Sequence, residues 1–193
     1  ASKLGLTTSR VQVPLSHVAI DGEEIPIPLQ GKVTEGKGWV LRNSKGQYTL
    51  TLDGLKAGSL ERKTPALEIQ GDLTLVLKKG TESELLSADA ALKKGAGTLT
   101  IRGEGSLRLQ GETALEGEWK EETLNQDEPS ALRIEGGKLV FTGEETALYE
   151  DTVELAGGEI QIQCLNGKGT GIRAHTLDDR HFSGSLEMEE SEE

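Results

Sequence analysis

The chain has 193 residues, a formal charge of −12 and only 3% aromatic residues. That length suffices for one domain or one elongated repeat domain. The acidic balance excludes a nucleic-acid partner, because no basic stripe is present to release phosphate counterions, and it suits an anionic membrane surface poorly. Cys164 is the single cysteine, which excludes an intrachain disulfide and a multi-cysteine zinc site. No run approaches the ~18 apolar residues of a membrane span, and no signal peptide is visible.

Residues 1–9 are small and polar and read as an exposed leader. From Arg10 to Gln30 the pairs Val11/Val13, Val18/Ile20 and Ile25/Ile27 alternate as in strands, with the turn dipeptide Asp21-Gly22 between the last two. Pro26 and Pro28 cannot donate to a ladder, so the stretch around them is an edge or a connection. This extension, residues 1–37, is expected to cap the main body. Gly38-Trp39-Val40-Leu41 and Gln47-Tyr48-Thr-Leu50-Thr-Leu52 flank the turn-rich Asn43-Ser-Lys-Gly46 and predict a hairpin. In that hairpin Trp39 and Tyr48 are expected to meet across the strands.

A repeated phrase follows. Ala-Leu recurs at Ala66, Ala91, Ala114, Ala131 and Ala147, with Gly171-Ile172 as a sixth copy, at intervals of 25, 23, 17, 16 and 24 residues. Alternating apolar pairs accompany it, as in Leu99, Ile101, Leu107 and Leu109, where Gly103-Glu-Gly105 forms a corner between the pairs. With no helix following it, that corner is scaffold rather than a phosphate cradle. Units so short and one-sided cannot bury an apolar face alone, so neighbours must stack. The uneven intervals mean inserted loops, the longest being the acidic 117–128, which carries Trp119. Residues 82–94 contain good helix formers, yet Ala88-Asp-Ala-Ala-Leu92 fits the repeat and the stretch is assigned as coil sequence of the β-helix. Cys164, among Ile160, Ile162 and Leu165, reads as a small buried residue near a strand end.

The expected fold is therefore all-β, a right-handed parallel β-helix (β-solenoid) of about five to six coils over residues 38–174, with an N-terminal strand and hairpin extension. A β-sandwich is the alternative. Residues 175–193 are assigned to one last strand and a solvated tail, since 187–193 contain five glutamates.

Gly38-Trp-Val-Leu41, Gln47-Tyr-Thr-Leu-Thr-Leu-Asp-Gly54, Gly71-Asp-Leu-Thr-Leu-Val-Leu77 and Thr98-Leu-Thr-Ile-Arg-Gly-Glu-Gly-Ser-Leu107 resemble bacterial secreted carbohydrate-binding domain-containing β-helix proteins. The likeness covers roughly residues 36–174. It implies a β-helix, secretion, surface display and glycan contact, and brings no catalytic motif with it.

The chemistry-bearing residues agree with a non-enzymatic reading. No Gly-x-Ser-x-Gly elbow is present. His175 and His181 bracket Asp178-Asp179 without a recognised ligand spacing, so a solvated loop is expected there, with no metal and no cofactor. The 33 acidic residues guarantee pairs such as Glu121-Glu122, Glu144-Glu145 and Glu150-Asp151, and none lies in an Asp-rich calcium loop. Among the few aromatics, Trp119, Trp39 and Tyr149 are the candidate ligand contacts, Trp119 first because it sits in the insertion. Val11, Val13, Val18 and Ile20 form a candidate assembly strand, able in principle to complete a neighbouring subunit by strand addition. The expected function is a non-catalytic extracellular or cell-surface module for adhesion, glycan binding or binding of another surface polymer, or for structural surface assembly. A filament subunit that self-associates by end-stacking or strand donation is the alternative. A polysaccharide lyase or hydrolase would need a carboxylate-lined lateral groove.

Overall fold

The computed structural model describes residues 12–119 and 130–190. Its elements, in chain order, are strands throughout. A first ribbon contains β1 (His17–Ile20) and β2 (Glu23–Glu24), and a second contains β3 (Val33–Gly36), β4 (Trp39–Ser44) and β5 (Gln47–Leu52). Then come β6 (Lys56–Ser59), β7 (Leu67–Gln70), β8 (Leu73–Leu77), β9 (Glu82–Ser87), β10 (Ala90–Lys94), β11 (Gly97–Gly103) and β12 (Ser106–Glu116). The series ends with β13 (Ser130–Ile134), β14 (Lys138–Tyr149), β15 (Thr152–Leu155), β16 (Glu159–Cys164), β17 (Thr170–Arg173), β18 (Thr176–Asp178) and β19 (Ser185–Glu190).

Among β5 to β19 the strands pair with one another only in parallel, and the pairing sorts into three faces. The first face stacks β5, β8, β11, β13, β15 and β18. The second stacks β6, β9, the first half of β12, the first half of β14, then β16 and β19. The third stacks β7, β10, the second halves of β12 and β14, and β17. The chain visits the faces in the same order on every turn, which gives a β-solenoid of five complete turns and the first two strands of a sixth. β18 and β19, within the 175–193 stretch, continue the stack beyond residue 174.

Period-2 alternation explains the core. Inward positions align rung upon rung: Leu50–Leu75–Ile101–Ile134–Leu155 on the first face, Ala57–Leu85–Leu109–Phe141–Ile162 on the second and Leu67–Leu92–Leu115–Leu148–Ile172 on the third. The corner at residues 103–105 lies directly on the corner below it. Gly103 has φ 110°, and a Cβ there would fall 2.3 Å from the Leu77 carbonyl oxygen, so the tight stack requires glycine.

The repeat phrase divides between faces. Ala66, Ala91, Ala114, Ala147 and Gly171 begin one ladder on the third face, whereas Ala131-Leu132 lies in β13 on the first face, opposite Thr98 and Leu99. The two short intervals around Ala131 are therefore one long turn, in which Leu115 pairs with Leu148, and the insertion sits inside it. Most of that insertion, like Val11, the leader and the end of the acidic tail, lies outside the described residues.

The N-terminal strands cap the start of the solenoid. β1 pairs antiparallel with β7 of the same chain, and β4 pairs antiparallel with β5. Val18 and Ile20 are buried in this chain's own core, so the segment expected to complete a neighbour instead closes the end to which it is attached. Val13 is half-buried and its N–H bonds to the Asp72 carboxylate at 3.1 Å. Two of the three ribbon turns, β1–β2 and β4–β5, are two-residue turns with positive φ at both positions, Asp21-Gly22 (53° and 81°) and Lys45-Gly46 (55° and 82°). The second turn sets a register of Asn43 opposite Tyr48 and Trp39 opposite Leu52. The expected Trp39–Tyr48 contact is thus absent, because the two lie four rungs apart. Cys164 ends β16, is 1% exposed, and its thiol donates to the Asn166 carbonyl at 3.3 Å.

Candidate functional site

The third face carries one outward residue per turn, directly after each Ala-Leu pair. Strand pairing aligns them as Glu68, Lys93, Glu116, Tyr149 and Arg173. With rungs about 4.8 Å apart, the row runs for about 19 Å along the solenoid. Its first half floors an open cleft of about 420 Å3, bordered by His17, Glu68, Lys93, Glu116 and Glu118. The His17 ring reaches Glu68 Oε1 through Nε2 at 3.2 Å. Burial pushes the Glu116 carboxyl above its usual 4.5; Lys93 opposes this, and Asp89 and Glu112 add to it.

The second half of the row is aromatic and cationic. Trp119 follows Glu116 by three residues and folds back over the next rung, stacking on Tyr149 with ring centroids 5.1 Å apart and planes at 22°. On Trp119 also lies the His175 ring, at 3.7 Å between centroids. The Arg173 guanidinium stands 5.5 Å from the Trp119 ring and 5.7 Å from Tyr149, within cation–π range. His175 Nδ1 is held by Asp151 Oδ1 at 2.5 Å. Trp119 and Tyr149 remain half-buried, so part of each residue stays open to solvent.

A buried ion pair anchors this corner from inside. Lys94 Nζ meets Glu150 Oε2 at 2.7 Å, with side chains 1% and 0% exposed. The ammonium also donates to the Gly95 and Gly97 carbonyls and to Ser130 Oγ. Glu150 Oε1 accepts from Ser130 Oγ and the Asp151 N–H, both at 2.7 Å. Burial pushes the Lys94 amine down and the Glu150 carboxyl up, and their contact pulls each back. Lys94 ends β10 and Ser130 opens β13, so the pair closes the solenoid where the insertion leaves it. A Cβ on Gly117 would fall 2.3 Å from the Glu150 carboxylate, so the departing chain runs directly over the pair.

Two of the three aromatic candidates, Trp119 and Tyr149, are thus in one cluster. Trp39 is 9% exposed in the core at the capped end, where its ring covers Gly36. The carboxylates Glu68, Glu116 and Glu118 gather around one lateral cleft, which the sequence reading did not expect. Arg173 and His175 were missed as site residues. The signal for Arg173 was present, since it occupies the same place after Gly171-Ile172 as Tyr149 does after Ala147-Leu148. Among the described residues no group of three or more His, Cys, Asp and Glu is arranged to hold a metal ion, and no helix is long and apolar enough to cross a membrane.

Searches of curated proteins and of solved structures returned no match. The sequence does match the family described as "Carbohydrate-binding domain-containing protein" over residues 16–191, further in both directions than the phrases that carry the resemblance. The chain belongs to that carbohydrate-binding domain-containing family.

Proposed function

We propose that the chain is a non-catalytic glycan-binding module that takes an oligosaccharide along the third face, and that it works outside the cell, at a surface. The observation that carries this reading is the Trp119–Tyr149 stack at the end of a row of polar side chains. Aromatic rings offer an apolar face to the C–H side of a sugar ring, while carboxylates and guanidinium groups make charge-assisted hydrogen bonds to its hydroxyls. Here Tyr149 and Trp119 receive one ring, and Glu116, Lys93 and Glu68 contact those that follow. Membership of a carbohydrate-binding domain-containing family supports the same ligand class.

The test is a glycan array followed by calorimetry with the full chain. Trp119→Ala is expected to weaken the best array ligand at least tenfold while leaving the unfolding midpoint within a few degrees. Unchanged affinity removes this face from the proposal. The non-catalytic part is tested separately, by a reducing-end assay on the bound polysaccharide. No release of ends is expected, and release abolished by Glu116→Gln overturns it. Secretion is read by the fraction in which the protein accumulates in its native cell. End-to-end assembly is a second reading. It is favoured by Leu177 and Met188, inward positions of the last turn that are 48% and 51% exposed. A strict monomer by light scattering across concentration ends it.

A further inference from the structure

A second cleft lies on the first face, away from the Trp119–Tyr149 row, and is the larger of the two, at about 550 Å3. Its floor consists of outward threonines on adjacent rungs, Thr74 on β8 and Thr100 on β11. One wall is the chain segment 12–15. That wall is fixed because the Val13 N–H bonds to Asp72 Oδ2 at 3.1 Å and the Asp72 N–H bonds to the Val13 carbonyl at 2.8 Å. The opposite wall is the β4–β5 turn, which contributes Lys45, Gln47 and Tyr48.

The chemistry of this cleft differs from that of the third face. Asp72 is the one carboxylate among the described residues of its lining, and both its oxygens are already used, Oδ2 by Val13 and Oδ1 by the Thr98 N–H at 2.8 Å. What remains to meet a ligand, among the described residues, is hydroxyl, amide and one aromatic ring, with Lys45 as the one cation. Tyr48 accepts a hydrogen bond from Asn43 Nδ2 at 3.2 Å, which leaves its phenolic proton free to donate. The hydroxyl oxygen of Thr98 is buried in the cleft wall and has no hydrogen-bond partner among the described residues. Buried hydroxyls are rarely left so, because desolvation without a partner is unfavourable. The floor is the face of a sheet and not its edge. A bound chain therefore finds no backbone ladder to extend, which disfavours an extended peptide.

We infer that this cleft is a second glycan site, specific for an uncharged oligosaccharide: Tyr48 provides the apolar wall for a sugar ring, and Thr74, Thr100 and Gln47 bond to its hydroxyls. The inference does not rest on the third-face site, and either can fail without the other. If both hold, one rigid chain joins two separate glycan strands, and its apparent affinity for a polymer network exceeds that of either cleft through effective concentration.

The experiment titrates the full chain by calorimetry with neutral hexasaccharides (β-1,4-glucan, β-1,3-glucan, β-1,4-mannan and β-1,4-xylan fragments) and with a hexagalacturonate as the charged control. At least one neutral ligand is expected to bind at least tenfold more tightly than the control. Thr100→Lys, which lays a long side chain along the cleft floor from an outward strand position, is expected to weaken that ligand at least tenfold. Tyr48→Leu is expected to do the same, and Trp119→Ala to leave it within twofold. Unfolding midpoints within a few degrees of wild type confirm that Thr100→Lys folds, so its result stands even where Tyr48→Leu disturbs the hairpin. The inference is overturned if no neutral ligand binds at millimolar concentration, or if Thr100→Lys leaves affinity unchanged. It is also overturned if Trp119→Ala abolishes the same binding, which assigns the ligand to the third face. Binding that appears only after deletion of residues 1–11 overturns it too, in favour of a cleft occupied by the chain's own N-terminus.

Discussion

The Lys94–Glu150 pair offers the sharpest test of how this solenoid is held together at its insertion. Glu150→Met leaves the ammonium of Lys94 with two backbone carbonyls and the Ser130 hydroxyl, and with only the weaker attraction of Glu118 and Asp72 in place of its counter-charge, in a site that is 1% exposed. A buried charge stripped of its partner costs about 3–5 kcal/mol. Lys94→Met strands the Glu150 carboxylate with only the Ser130 hydroxyl and the Asp151 N–H, at a similar cost of about 3–5 kcal/mol. For a chain of this size each single variant lowers the unfolding midpoint by roughly 6–20 °C. The double variant Lys94→Met/Glu150→Met removes both charges. It leaves the Gly95 and Gly97 carbonyls, the Ser130 hydroxyl and the Asp151 N–H short of a partner, at about 1 kcal/mol for each that water cannot reach. The expected net loss is about 2–4 kcal/mol, well under the sum of the singles. Guanidinium denaturation followed by circular dichroism and by tryptophan fluorescence measures all four corners of the cycle. Because a solenoid can unfold in segments, the fluorescence of Trp119, next to the pair, reports the local event. Single variants within about 1 kcal/mol of wild type, or a double variant equal to their sum, would refute the argument that this is a desolvated, mutually dependent pair.

Three further perturbations read other parts of the design. Phe141, fully buried between Leu109 and Ile162 on the second-face ladder, is expected to lose about 3–5 kcal/mol on Phe141→Ala by denaturant unfolding. Gly103→Ala places a Cβ 2.3 Å from the Leu77 carbonyl oxygen at φ 110°; backbone strain alone predicts a loss of about 1–3 kcal/mol in the same assay. Glu116 supplies a pH dependence. Its carboxyl is raised by burial above 4.5, so the folded chain holds the proton more tightly than the unfolded one. Its stabilising contribution is complete below 4.5 and is lost as pH rises through the folded value. Thermal scans should therefore show Glu116→Gln gaining on wild type at neutral pH relative to pH 4, and a constant difference across that range would contradict the assignment.

The fold was legible because its signal is redundant. Each ladder repeats the same inward alternation on every turn, so Leu99, Ile101, Leu107 and Leu109 announce two faces and a corner by themselves. What was hard to read was which face a phrase belongs to. Ala131-Leu132 looks like the other copies because each phrase sets a small buried residue before a large inward one, and the local sequence does not record which face it serves. Pairing of Leu115 with Leu148 resolves it. The Trp39–Tyr48 contact failed for a related reason, since a two-residue turn at Lys45-Gly46 fixes a register that aromatic pairing would have shifted by four rungs. The first-face cleft was invisible because its parts, the segment 12–15, the hairpin turn and Thr100, lie far apart in sequence.

The site row itself was written in the repeat, although only alignment by ladder exposes it. The residue after each Ala-Leu or Gly-Ile pair is free of core constraint, because it points outward between two inward positions. Along the chain those residues are Glu68, Lys93, Glu116, Tyr149 and Arg173. A solenoid holds such positions at a fixed spacing of about 4.8 Å whatever side chain is present, so recognition can vary one rung at a time without cost to the stack. The insertion adds what the ladder lacks. The row supplies a single aromatic, Tyr149, and a turn lengthened at Gly117 returns Trp119 to lie on it, while Lys94 and Glu150 close the gap beneath. Trp119 therefore depends on an ion pair that no ligand touches. Loosening that pair by Glu150→Gln should weaken ligands of the third face more than those of the first-face cleft, which the pair reaches only through the Gly97 carbonyl beside Thr98.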